Sequence, residues 1–131
     1  MQPQWAEDIS RSLDDLDEMV ASRNRMAALY QRLLKSDAII HPEVRDGGTC
    51  FRYSVLLKGG DRSRVRVELL KRGIWVSTLY PALHQLYGSP GGLDVTEYVA
   101  PRIVNFPVEP SLDEEAVGRV AEVALELISA P

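Results

Sequence analysis

The chain has 131 residues, a net charge of −4, and 26% charged against 45% hydrophobic residues, the size and mixture of one globular domain rather than a disordered or fibrous polymer. No apolar run approaches the ~20 residues of a membrane helix, and the opening Met1-Gln2-Pro3-Gln4-Trp5-Ala6-Glu7-Asp8 has neither the basic cluster nor the apolar core of a signal peptide. The acidic balance argues against general nucleic-acid binding, and the single Cys50 excludes an internal disulfide and a cysteine-rich zinc site, so a reduced, cytoplasmic setting is expected.

The first element is a long helix over residues 5–35. Trp5, Ile9, Leu13, Leu16, Val20, Ala27, Tyr30 and Leu34 recur at steps of three, four and seven, the spacing of one helical stripe. At ~1.5 Å per residue it would approach roughly 45 Å, too long for the rest of a domain this small to cover. Either it bends near Ser22 or part of its stripe meets another chain. Residues 37–48 read as a loop, broken by Pro42 and Gly47-Gly48.

Phe51, Tyr53, Val55 and Leu57 alternate with Arg52, Ser54 and Leu56, the period-two pattern of a strand with one buried face. Asp61 is placed as the N-cap, and Gly73 as the left-handed terminator, of a helix over residues 62–72. Its basic residues Arg62, Arg64 and Arg66 spread around the cylinder, so they form a solvated face rather than a phosphate-binding stripe. Ile74 to Tyr80 is expected as a second strand, stopped by Pro81, and Arg102 to Phe106 as a third, between Pro101 and Pro107. Ser111-Leu112-Asp113-Glu114 has the pattern of a capping box, and Val117, Val120, Ala121, Ala124, Leu127 and Ile128 follow at helical spacing. The expected class is α+β: one domain over 1–131, with the 5–35 helix and a 49–131 layer of helices on a small three-stranded sheet.

Catalytic and metal-binding patterns are missing. His41 and His84 have no neighbouring histidine or carboxylate at metal-ligand spacing, and no metal site is assigned. Cys50, beside an aromatic strand residue, reads as a packed thiol. Asp14-Asp15 and Glu114-Glu115 read as solvated charge and cap. None of the glycine pairs at 47-48, 59-60 and 91-92 combines the strand–loop–helix pattern with the Lys-Ser or Lys-Thr of a P-loop; Gly59-Gly60, between a strand and a helix, comes nearest and reads as a turn.

From Leu13 onward the chain resembles the carboxy-terminal small domain of the DegT/DnrJ/EryC1/StrS aminotransferases. Leu13-Asp14-Asp15-Leu16-Asp17-Glu18-Met19-Val20 with Arg23, Arg25 and Tyr30 is similar to the family's first small-domain helix. Phe51 to Val55 resembles the strand that follows. Arg72 to His84 resembles the glycine-isoleucine strand, the histidine-tyrosine-proline turn and the later leucine-histidine, with Leu79 where the family usually has histidine. Arg102 to Pro110, followed by Ser111 to Glu115, resembles the closing arginine, leucine-proline turn and last helix.

The resemblance implies a fold whose pyridoxal phosphate is held by an amino-terminal large domain that carries the imine lysine and the ring-nitrogen aspartate. In this chain Lys35 sits at a helix end, Lys58 before a glycine turn and Lys71 on a surface helix, so no catalytic or cofactor-binding residue is assigned. The expectation is a non-catalytic small-domain subunit, inactive alone, that completes a pyridoxal phosphate aminotransferase of amino-sugar or secondary-metabolite biosynthesis by pairing with a separate large-domain chain. The resemblance places Tyr80, His84, Arg102 and Asn105 on the substrate or partner side. The alternatives are a homodimeric interaction or ligand-binding module derived from that domain, and a piece of a longer protein; Gln2-Pro3-Gln4-Trp5, unlike the family, points to a start of its own.

Overall fold

The computed structural model describes residues 3–43, 47–79, 81–88 and 92–129. Helix α1 (Pro3–Asp14) runs into α2 (Leu16–Leu33) through the single residue Asp15. The expected bend near Ser22 is therefore moved: α2 passes through Ser22 unbroken, and the interruption falls at Asp15. Two adjacent aspartates, poor helix formers, mark the place. The disturbance is slight, because Asp15 N–H still bonds Arg11 O at 3.2 Å and Met19 N–H bonds Asp15 O at 3.0 Å.

Three strands form one antiparallel sheet in the order β1 (Ile39–Ile40), β2 (Tyr53–Leu57), β3 (Ile103–Phe106). β1 lies in the stretch expected to be loop; its two residues pair with Leu57 and Leu56. β2 starts two residues later than the alternation suggests. There Phe51 O accepts from Arg23 Nη1 and Arg52 O accepts from the Cys50 thiol.

Over its described residues, 74–79, the expected second strand is not a ladder strand. Within it Ser77 alone bridges Asn105, through bonds of 3.1 and 2.8 Å. The following carbonyls are taken by side chains: Thr78 O accepts from Arg62 and Leu79 O from the Asn105 amide. Two short helices unmarked by the sequence pattern, α4 (Leu83–Leu86) and α5 (Asp94–Val99), fill the connection to β3.

Helix α3 (Arg62–Lys71) has the expected ends. Asp61 Oδ1 accepts from Arg64 N–H at 3.1 Å. Gly73 takes a φ of 75°, while Gly73 and Ile74 N–H bond Leu70 O and Leu69 O, the paired bonds of a left-handed helix stop. Helix α6 (Glu114–Ser129) is capped differently from expectation. Asp113 Oδ1 accepts from Ala116 N–H at 2.7 Å, so the cap lies two residues past Ser111.

The pleat puts Tyr53, Val55, Leu57, Val104 and Phe106 on one sheet face, each at most 4% exposed. They pack with the buried sides of α2 (Met26, Ala27, Leu29, Tyr30), α3 (Val65, Leu69) and α6 (Val117, Val120, Ala121, Ala124, Leu127). At the centre the Tyr30 ring stacks on Tyr53 at 5.6 Å and meets Phe106 at 5.3 Å. Burying each such side chain contributes about 1.5–3 kcal/mol. Ser54 and Asn105 point to the opposite face, where the site described next is built.

Candidate site on the open face of the sheet

Asn105 is a polar residue in a strand and only 4% exposed, which obliges its amide to find partners. Its Oδ1 accepts from Ser54 Oγ at 2.7 Å across the β2–β3 ladder. Its Nδ2 donates to Ser77 Oγ at 3.2 Å and to Leu79 O at 2.8 Å. One side chain thus ties β2 and β3 to the 77–79 segment.

Beside this network lies a cavity of about 650 Å³, with Asn24 and Gln31 of α2, Arg52, Ser54, Leu79 and Asn105 among its lining. The volume falls within the range of small-molecule pockets. Its wall before β2 is fastened to α2: Asn24 Nδ2 donates to Gly48 O at 3.1 Å, Cys50 N–H donates to Asn24 Oδ1 at 3.0 Å, and Arg23 Nη1 donates to Phe51 O at 3.2 Å. Cys50 is half-buried, and burial pushes its thiol pKa up against the opposing influence of Arg23. The thiol donates to Arg52 O at 3.1 Å. A thiol with a raised pKa is a poor nucleophile, and Cys50 packs, partly buried, against the core.

Arg52 lies over two rings, with its guanidinium carbon 5.5 Å from the Phe51 centroid and 5.7 Å from that of Trp75. Arg23 approaches Phe51 at 5.2 Å. Arg52 Nη1 is buried without a hydrogen-bond partner, an arrangement that costs on the order of 1–3 kcal/mol. Behind the cavity, His41 Nδ1 and Tyr53 Oη are 2.7 Å apart. Burial raises the Tyr53 phenol from 10.0 to about 12, with the Cys50 charge adding to the rise.

The residues singled out from the sequence are dispersed. Asn105 lines the cavity, and Tyr80 lies outside the described residues, as does Gly91 of the third glycine pair. His84 belongs to α4, its Nε2 3.1 Å from Glu97 Oε1 and its Nδ1 buried without a partner. Arg102 stands three residues before Asn105, about 10 Å along the chain at strand spacing. Its Nη1 donates to Tyr98 O at 2.9 Å, and its guanidinium sits 4.4 Å over the Tyr98 ring. His84 and Arg102 are both held by α5, apart from the cavity.

The sequence pattern did not single out Arg52, Asn24 or Ser54. The available signal was an arginine directly after Phe51 in a strand-like run. Among the described residues no cluster of three or more histidine, cysteine or acidic side chains is poised for a metal, and no helix is long and apolar enough to cross a membrane.

The lysines lie away from the cavity wall. Lys35 follows α2, Lys58 follows β2, and Lys71 pairs with Glu68 at 2.7 Å. The lining therefore does not fit a coenzyme bound through an imine.

Residues 8–124 match the DegT/DnrJ/EryC1/StrS aminotransferase family. The chain is 33% identical over 119 residues to the dTDP-4-dehydro-2,3,6-trideoxy-D-glucose 4-aminotransferase of Saccharopolyspora spinosa, covering 86% of this chain and 31% of that protein. It is 31% identical over 137 residues to the dTDP-3-amino-3,4,6-trideoxy-alpha-D-glucose transaminase of Micromonospora megalomicea subsp. nigra, covering 95% and 36%. Its fold superposes on the aminotransferase TlmJ of Streptoalloteichus hindustanus with a TM-score of 0.82 and 25% identity, over 92% of this chain and 34% of that one. The S. venezuelae DesV structure, solved in complex with a ketimine intermediate, gives a TM-score of 0.79 and 26% identity over 91% and 34%. The chain spans about a third of the length of the curated relatives it matches.

Proposed function

Since the chain belongs to the DegT/DnrJ/EryC1/StrS aminotransferase family, we propose that it serves as the small domain of such an enzyme. In this reading it pairs with a separate chain that carries the large domain and pyridoxal phosphate, in the biosynthesis of amino sugars. The coenzyme supplies the electron sink for transamination; this chain closes one side of the site and takes no part in bond making. The dTDP-sugar aminotransferases among its relatives support a sugar substrate class.

The observation that carries the pairing is the state of α1. Every described side chain from Trp5 to Glu18 is exposed, including Trp5 (61%), Ile9 (57%), Leu13 (62%) and Leu16 (45%), which share one stripe. Covering the half of each side chain that is still exposed offers roughly 1 kcal/mol of apolar transfer, before the ordering cost of association. A contiguous apolar face of this kind marks an interaction surface.

The test is to mix the purified chain with a family large-domain chain and measure transamination of a dTDP-keto-sugar together with sedimentation. The expected result is a complex and a rate above that of the large-domain chain alone. No complex and no change in rate would remove this reading. A homodimer indifferent to the large-domain chain would instead favour an interaction module, for which Leu79 in place of the family's histidine is the supporting feature.

A further inference from the structure

We propose that the cavity on the open sheet face binds a small molecule through an oxyanion group, a carboxylate or a phosphate, seated against the Arg52 guanidinium. The inference goes beyond subunit pairing, since the binding belongs to this chain alone. Four other arginines in the fold are neutralised by a carboxylate: Arg11 by Asp8, Arg25 by Glu18, Arg64 by Asp61 and Arg72 by Glu126. Arg52 has no such partner among the described residues and makes no side-chain hydrogen bond. It is held by the rings of Phe51 and Trp75 instead.

That mode of support decides what the group can do. Cation–π contact engages the guanidinium through its charge and its face, and leaves the in-plane N–H fork uncommitted. A planar fork with fixed geometry suits the two oxygens of a carboxylate or phosphate. Arg23, also over Phe51 and also without a carboxylate partner among the described residues, adds a second positive charge at the same ring. Arg52 thus stands at the cavity wall without a carboxylate partner among the described residues, although the net charge of −4 shows that acidic residues are plentiful. A guanidinium without a counter-ion favours an anion.

The rest of the lining suits the body of such a ligand. Asn24, Gln31 and Thr49 supply neutral donors and acceptors, and Ala28 and Leu79 supply apolar surface.

Trp75 is the natural reporter. The chain has two tryptophans, so Trp5→Phe leaves Trp75, with Arg52 over its ring, as the only one. This full-length variant is titrated with inorganic pyrophosphate and, separately, with citrate, each at constant ionic strength set with sodium chloride. The expected result is a saturable change in Trp75 emission with at least one anion. Calorimetry gives the same constant, and Arg52→Gln weakens it at least about tenfold, the loss of a charge-assisted forked contact. Arg52→Lys recovers part of the affinity, while Arg119→Gln, an exposed charge on α6, leaves it unchanged. A response to pyrophosphate alone assigns a phosphate ligand, and one to citrate alone a carboxylate ligand. No saturable response to either anion overturns the proposal. So does binding that Arg52→Gln, folded by circular dichroism, leaves intact. Neither outcome bears on pairing with a large-domain chain.

Discussion

The carboxy-terminal half of α2 and the whole of α1 carry the same kind of apolar stripe, yet they end in opposite environments. From Met26 to Tyr30 the stripe is covered by the sheet and by α6, and Tyr30 is fully buried against Tyr53 and Phe106. From Trp5 to Leu16 the stripe has no buried member among the described residues and stays 45–62% exposed. Periodicity makes a helix amphipathic in both places, but only tertiary neighbours decide whether the apolar side is core or interface. The buried core of the chain therefore lies at the sheet, while the exposed apolar stripe lies along α1, where the proposed pairing would take place.

The contrast is broken most forcefully at the centre of the core. Phe106→Ala removes the ring between Tyr30 and the sheet and should cost about 3–5 kcal/mol, a large part of a typical total of ~5–15 kcal/mol; urea denaturation reads it directly. Asn105→Ala is expected to cost about 1–3 kcal/mol by the same measurement, because Ser54, Ser77 and Leu79 O all lose their partner.

Tyr53→Phe should be milder, about 1 kcal/mol near neutral pH for the lost His41 bond, with a distinctive signature in alkali. Because burial holds the folded phenol at about 12 against 10.0, the unfolded chain gives up this proton first as pH rises. The stabilisation is full below pH 10.0 and is lost as pH climbs toward 12. Tyr53→Phe therefore flattens the alkaline fall in stability, leaving the part due to Tyr30, whose phenol burial also raises. At the other extreme, Ile9→Ser on α1 should change the unfolding free energy by no more than ~0.5 kcal/mol while weakening association with a large-domain chain. A large loss of stability there would show that α1 packs within its own chain.

How far the fold could be read from the sequence follows from how local each cause is. Asp61 and Gly73 act on their own turn, and both ends of α3 are where the spacing puts them. The α+β class and the alternation of Tyr53, Val55 and Leu57 were equally legible. Over the described residues 74–79 the expected strand gives way to non-local contacts: the Arg62 and Asn105 side chains, distant in sequence, bond Thr78 O and Leu79 O. The two-residue β1 offers too short a pattern to register. At α6, Asp113 outcompetes Ser111 for the cap, although both residue types suit the position. The cavity was invisible because α2, the stretch before β2 and the 77–79 segment converge only in space. Of the residues that the family resemblance singled out, Asn105 reaches it.

The central proposal is that this chain contributes shape and surface to an aminotransferase whose coenzyme is anchored on a separate large-domain chain. The most direct measurement is to incubate the purified chain with pyridoxal phosphate, desalt it and record the visible spectrum, alone and after mixing with a large-domain chain. The account predicts a colourless protein alone and retained coenzyme absorbance only in the mixture. Coenzyme absorbance that survives desalting on this chain by itself would contradict it.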